Sequence, residues 1–137
     1  MSLLLQEAPF SDPTEALAAS DGNLRLLALI TALHLMPEHG LLCVEEPEHG
    51  LHPLVFGPLL DLIRERCAPD GTRQVVVATH SPDLIDAAEV SEVIVAERQA
   101  DGSTSLRRLD SDDLGEWLQD FRLGELWRMR HLGGVPH

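Results

Sequence analysis

The chain has 137 residues and a formal net charge of −13, with 44% of its residues hydrophobic and 4% aromatic. That length fits one domain, and the apolar share is ordinary for a globular core. The acidity excludes a surface that grips nucleic acid over a whole face, because phosphate contacts need basic side chains. A local basic patch stays open, although Arg122, Arg128 and Arg130 read more simply as a solvated helix face.

Cys43 and Cys67 form neither a CxxC pair nor a disulfide framework. Buried structural thiols in a reducing cytosol are expected of them. No apolar run approaches the roughly 20 residues of a membrane span. Met1-Ser2-Leu3-Leu4-Leu5 lacks the basic start of a secretory signal. A cytoplasmic location without a membrane partner follows as the expectation.

In chain order, residues 7–19 carry Pro9, Ser11, Asp12 and Pro13 and read as a loop or lead-in. Ser20 or Asp21 can cap a helix. Leu24, Leu27, Ala28, Ile30, Leu33 and Leu35 supply its apolar positions over about three turns, and Pro37 and Gly40 end it. Leu41-Leu42-Cys43-Val44 is a short continuous apolar run that predicts a strand buried on both faces. Pro53 opens a second helix that runs through Leu59, Leu60, Leu62 and Ile63 to Cys67, and Pro69-Asp70-Gly71 turns the chain.

Residues 74–79, Gln-Val-Val-Val-Ala-Thr, predict a second buried strand, rich in β-branched side chains. Ser81-Pro82 starts a short helix, with Ser81 as cap. Residues 92–97 predict a third strand. Asp101-Gly102 is a hairpin turn signal, so Ser105–Leu109 is expected to return beside that strand. Asp110 to Arg130 reads as one or two helices with Trp117, Leu118, Phe121, Leu126 and Trp127 on the apolar side. Strands alternating with helices give an α/β class with parallel pairing.

Three segments bear chemistry. The run 41–44 opens directly onto Glu45-Glu46-Pro47-Glu48. This places carboxylates at the carboxyl end of a buried strand, where open α/β sheets bind ligands. Neighbouring strand residues point to opposite sides, so Glu45 can hold Mg²⁺ through water while Glu46 orients or deprotonates a water molecule. An acidic turn after a strand is the plain alternative. Thr79-His80-Ser81-Pro82 puts a histidine at the same end of the second strand. Ser81 is better explained as a helix cap than as a nucleophile, because no GxSxG elbow surrounds it. Ala19-Ser20-Asp21-Gly22-Asn23 lies at a helix start, whose free N–H groups suit an anion, although each of these segments also has an ordinary structural reading.

Taken together, these segments resemble, in order and spacing, the second half of an ATP-binding-cassette ATPase domain. Ser20-Asp21-Gly22-Asn23-Leu24-Arg25 resembles the signature motif, and Leu41 to Glu46 the Walker B strand. Glu48-His49-Gly50-Leu51-His52-Pro53 resembles the loop that follows, and Thr79-His80-Ser81-Pro82 the switch-histidine segment. The nearest likeness is to predicted bacterial ATPases of the AAA-21 type, relatives of the chromosome-maintenance and recombination ATPases. The motifs span about residues 19–97, and Leu123-Gly124-Glu125-Leu126-Trp127 with Gly133-Gly134-Val135 is also similar to that group.

The resemblance implies a partial P-loop NTPase fold, with residues 1–137 forming the carboxy-terminal half of one ATPase domain. It implies a mostly parallel sheet flanked by helices, then a β-hairpin and helices. It further implies a protein that, when complete, binds ATP and Mg²⁺ between two ATPase domains. In that picture Glu46 is the general base, Glu45 assists Mg²⁺ and His80 contacts the γ-phosphate. Ser20, Asp21, Gly22 and Asn23 meet the nucleotide of the opposite subunit.

Three departures qualify it. Glu45 stands where many of these ATPases have Asp. Asp21 replaces the usual Gly of transporter signatures. No G-x-x-x-x-G-K-[ST] occurs, and all ten basic residues are arginine, so no P-loop lysine exists in this chain. The chain alone is therefore expected to be inactive and to hold no nucleotide tightly.

Two other readings remain. One is a natural half-domain that acts as a binding or regulatory module and lends its signature face to a partner ATPase. The other is a metal enzyme using Glu45, Glu46, Glu48, His49 and His52. Their spacing departs from HExxH, and Pro47, Gly50 and Pro53 break the helix which that motif needs.

By the resemblance, the P-loop strand belongs between strands 74–79 and 92–97. Its absence predicts unpaired strand edges. Direct pairing of the two strands, insertion of Leu3-Leu4-Leu5, or a second copy could fill the gap, and self-association is the expectation.

Overall fold

The computed structural model describes residues 4–6, 14–15, 20–67 and 72–133. Leu3, most of the 7–19 lead-in, the Pro69-Asp70-Gly71 turn and Gly134-Val135 lie outside the described residues. The chain divides into two compact units, Met1–His52 with Leu62–Ala78, and Pro53–Asp61 with Thr79–His137.

In the first unit, β1 (Leu4–Leu5) pairs antiparallel with β2 (Thr14–Glu15). Helix α1 (Asp21–Leu35) begins as the sequence predicts. The Ser20 hydroxyl accepts the Asn23 N–H at 3.2 Å and satisfies one of the open first-turn amides. Leu29 and Leu33 carry its buried face, followed by buried Met36. The residue before a proline avoids the helical region, and Met36 leaves the helix with extended backbone ahead of Pro37.

Strand β3 (Leu41–Glu45) then pairs in parallel with β4 (Gln74–Ala78). The ladder extends one rung past each end, through Gln74 N–H to Gly40 O at 2.9 Å and Glu46 N–H to Ala78 O at 2.8 Å. Among the described residues β4 has no strand on its second edge.

The two strands are not buried on both faces, contrary to the expectation from their apolar runs. Leu42, Val44, Val75 and Val77 are half-buried, while Leu41, Cys43, Glu45, Gln74, Val76 and Ala78 are exposed. The register sets Leu41 beside Gln74, Cys43 beside Val76 and Glu45 beside Ala78, so the exposed residues share one face. Leu41 is 61% exposed and Val76 55%, values that belong to a sheet face with nothing packed on it. Cys43 is exposed for the same reason, which corrects its expected burial; Cys67 is half-buried.

Helix α2 (Phe56–Arg66) follows a 3-10 turn at Pro53–Val55, and its first residues count with the second unit. That unit contains α3 (Pro82–Asp86), a 3-10 turn at Val90–Glu92, and β5 (Ile94–Arg98) paired antiparallel with β6 (Thr104–Arg108). The hairpin forms around Asp101-Gly102, where Gly102 takes a φ of 86°. Its connection is longer than a two-residue turn, with Gln99 N–H bonded to Ser103 O at 2.8 Å.

The tail is three short helices rather than one or two: α4 (Ser111–Leu114), α5 (Trp117–Asp120) and α6 (Leu123–Arg128). Gly115, at a φ of 43°, ends the first of them. Val95, Leu109, Leu114, Leu123, Leu126 and Leu132 form the core of this unit, with Leu126 and Leu132 almost fully enclosed. The class is α/β, with a parallel strand pair flanked by helices and a later hairpin. Among the described residues β4 pairs with β3, β5 pairs with β6, and Leu4–Leu5 pairs with β2.

Candidate functional site

Glu45 closes β3 and is exposed on the uncovered sheet face. Glu46 follows at a φ of 45°, a left-handed conformation that costs a non-glycine residue about 1–2 kcal/mol. Two backbone hydrogen bonds hold it there. Its N–H donates to Ala78 O, and its carbonyl accepts the His49 N–H at 3.1 Å. His39 and Arg130 also take positive φ, so the conformation does not by itself single out Glu46. Its carboxylate is exposed, with His49 Nδ1 at 3.7 Å from Oε2, an open pair worth at most about 1 kcal/mol.

The turn at residues 47–50 ends at Gly50, whose φ is 79°. Gly50 meets the start of α1: a Cβ on Gly22 would overlap the Gly50 carbonyl oxygen. Gly22 is therefore buried by backbone, whereas Ser20, Asp21 and Asn23 are exposed around it. The signature-like segment thus meets the loop that follows the Walker-B-like strand, both in one unit, and Gly22 is the point of close approach. A glycine in a helix's first turn and a glycine in a turn 28 residues later carry no local sign that they touch.

His80 belongs to the second unit, two residues past β4, and is exposed. A hydrogen bond from Ser81 N–H to Thr79 Oγ1 at 2.9 Å spans it. The Ser81 hydroxyl caps α3 through Leu84 N–H at 3.3 Å, as its position before Pro82 predicts. Asp86, at the end of α3, accepts the Gly124 N–H at 2.6 Å. No sequence signal marks this contact, because its partners stand 38 residues apart.

Mg²⁺ keeps several waters and takes one or two carboxylates together with substrate phosphates. An exposed Glu45 beside Glu46 suits that mode of binding. No group of three His, Cys, Asp or Glu able to hold a metal exists among the described residues, so Glu45, Glu46, Glu48, His49 and His52 do not build an all-protein cage of the zinc type. Among the described residues no helix is long and apolar enough to cross a membrane.

A parallel strand pair with acids at its carboxyl end, flanked by helices, is an α/β arrangement of the ligand-binding kind. A solved SMC ATPase structure, from work on ATP-driven dimerization and DNA-stimulated activation of SMC ATPases, has a similar fold. The TM-score is 0.58 at 20% sequence identity, over 87% of this chain and 79% of that one. Residues 2–86 match the family model described as "AAA domain, putative AbiEii toxin, Type IV TA system", and the chain belongs to this AAA-domain family. Comparison with curated proteins finds no match.

Proposed function

We propose that this chain is the carboxy-terminal half of an ATP-binding-cassette-type ATPase domain, and that ATP is bound and hydrolysed when a P-loop-bearing half completes it. One observation carries the reading. The strand pair that ends in Glu45 and Glu46 has a bare apolar face and an unpaired β4 edge among the described residues, whereas parallel strands are ordinarily covered on both faces. A sheet left open beside its acids calls for the strand and cradle that this sequence lacks.

In the complete site Mg²⁺ would neutralise phosphate charge. Glu45 would hold it through water. Glu46 accepts a proton from the attacking water, His80 donates to the γ-phosphate, and Ser20, Asp21 and Asn23 present the start of α1 to the nucleotide of a second copy. Gly22 contributes by letting α1 approach the turn after Glu46. Homodimeric assembly and a cytoplasmic location belong to the same reading.

The test is steady-state phosphate release with Mg²⁺, for the chain alone and together with a separate polypeptide that carries a P-loop half. The chain alone is expected to be silent, because phosphoryl transfer depends on a preorganised cradle. Turnover by the chain alone that Glu46→Gln abolishes would overturn the proposal.

A further inference from the structure

We infer that Asp86 and Gly124 are positioning residues for His80, and that α6 is a strut holding the segment His80-Ser81-Pro82 in place. Its consequence for turnover rests on the role proposed above for His80; the mechanical coupling stands on geometry alone.

The argument starts from the needs of α6. Its first-turn amides require acceptors, and the residue at its N-cap position, Arg122, has no acceptor in its side chain. Part of the need is met locally by Glu125, whose carboxylate accepts the Arg122 N–H at 2.9 Å. The Gly124 N–H is met from another helix, by Asp86 Oδ1 at 2.6 Å, a short bond of the charge-assisted kind. A carboxylate is also the group favoured at the positive end of a helix.

The same glycine closes on the opposite end of α3. A Cβ on Gly124 would overlap the Pro82 carbonyl oxygen and stand 2.9 Å from Asp86 Oδ1. Pro82 and Asp86 are four residues apart and so lie on one face of α3. Gly124 thus touches the first and the last residue of that helix at once. Arg128 adds an exposed contact to Asp83 at 3.4 Å, and Leu84 anchors α3 with 2% exposure.

On the other side of Pro82 the backbone has little freedom. Proline fixes its own φ. Ser81 is held by Thr79 Oγ1 through a bond that spans His80, and its carbonyl accepts the Ile85 N–H at 3.0 Å. A displacement of α6 therefore reaches the Pro82 carbonyl directly, two residues from His80, with few torsions between to absorb it.

The experiment uses the full chain and follows the His80 ring by ¹H–¹³C NMR, its signal assigned by loss in His80→Ala. Gly124→Ala and Asp86→Ala are expected to shift that signal. Asp86→Asn, which keeps an acceptor oxygen, is expected to restore it. Leu33→Ala is a buried control on α1, in the other compact unit, and should lower Tm while leaving the His80 signal in place. If Gly124→Ala does not fold, Asp86→Ala decides. An unmoved His80 signal in a folded Asp86→Ala chain overturns the inference.

In the ATPase assembled with its P-loop half, Asp86→Ala should lower kcat about tenfold or more, in line with the cost of misplacing a reacting group, with the KM for ATP unchanged. On a His80→Ala background it should cost nothing further. Additive losses would overturn the positioning role. An assembly without ATP turnover would overturn the proposed function instead, and leave the NMR result to decide the strut.

Discussion

The backbones of Gly22 and Gly50 touch with no side chain between them. A Cβ on Gly22 would overlap the Gly50 carbonyl oxygen, and one on Gly50 would stand 3.4 Å from the Gly22 Cα. This contact ties the start of α1 to the turn that carries Glu46.

Substituting Gly22 by alanine is expected to cost about 1–3 kcal/mol through overpacking. Gly57 provides the opposite case. It lies in α2, and a Cβ there meets nothing within 4 Å beyond its chain neighbours; because Pro58 crowds a Cβ on the helical residue before it, Gly57→Ala should gain less than the roughly 0.4–1 kcal/mol that lower chain entropy gives at an unstrained site. Urea denaturation would measure both as shifts in midpoint at constant m. Equal effects at the two glycines would refute the contact.

Cys43 should react with a thiol reagent in the native chain much faster than Cys67, because it lies on the uncovered face of the β3–β4 pair. If a second copy covers that face, Cys43 labelling should slow as protein concentration rises, in step with the mass seen by light scattering. Val76→Lys should weaken association while changing monomer stability by no more than about 0.5 kcal/mol, the usual range for a surface position. Labelling independent of concentration would exclude this face as the self-association surface.

Glu46 offers a separation of stability from activity. Glu46→Gly should relieve its left-handed backbone and stabilise the chain by about 1 kcal/mol. Glu46→Gln keeps both the strain and the shape. In the assembled ATPase each should bind ATP and lose most turnover, because each removes the base. Normal turnover in Glu46→Gln would refute the role given to this carboxylate.

Asp101 supplies a pH prediction. The Ser103 hydroxyl, and then the Ser103 N–H, stabilise its carboxylate and lower its pKa from the ordinary value. A folded value below the unfolded one means that the stabilisation is complete above the unfolded pKa and is lost as pH falls through the folded one. Carboxyl ¹³C titration should show the low value in the wild type and a return toward the ordinary range in Ser103→Ala.

What could be read from the sequence is what local chemistry decides. Ser20 and Ser81 cap their helices, Pro82 sits at the first helical position, and the acids follow directly on β3. Asp101-Gly102 turns the hairpin. The uncovered face was not legible, because Leu41, Cys43 and Val76 have the same apolar character whether or not a neighbour exists to bury them. Nor was the Asp86 cap, since Asp86 lies 38 residues from the amide it satisfies. Glu46's left-handed backbone has no sign in the sequence either, because glutamate gives no hint of positive φ. The division of the tail at Gly115 was hidden by the apolar spacing on either side of it, which suits a longer helix.

The cap that Asp86 lends to α6 bears on how this protein can be cut and recombined. Helix α6 is completed by a residue encoded well before it, across the whole hairpin. A gene fusion or truncation with its breakpoint between residues 87 and 122 would separate the carboxylate from the amide it serves. Both products would inherit an unfinished helix contact. The stretch from Asp86 to Gly124 is therefore a single unit of inheritance, although it reads along the chain as a hairpin followed by an expendable tail.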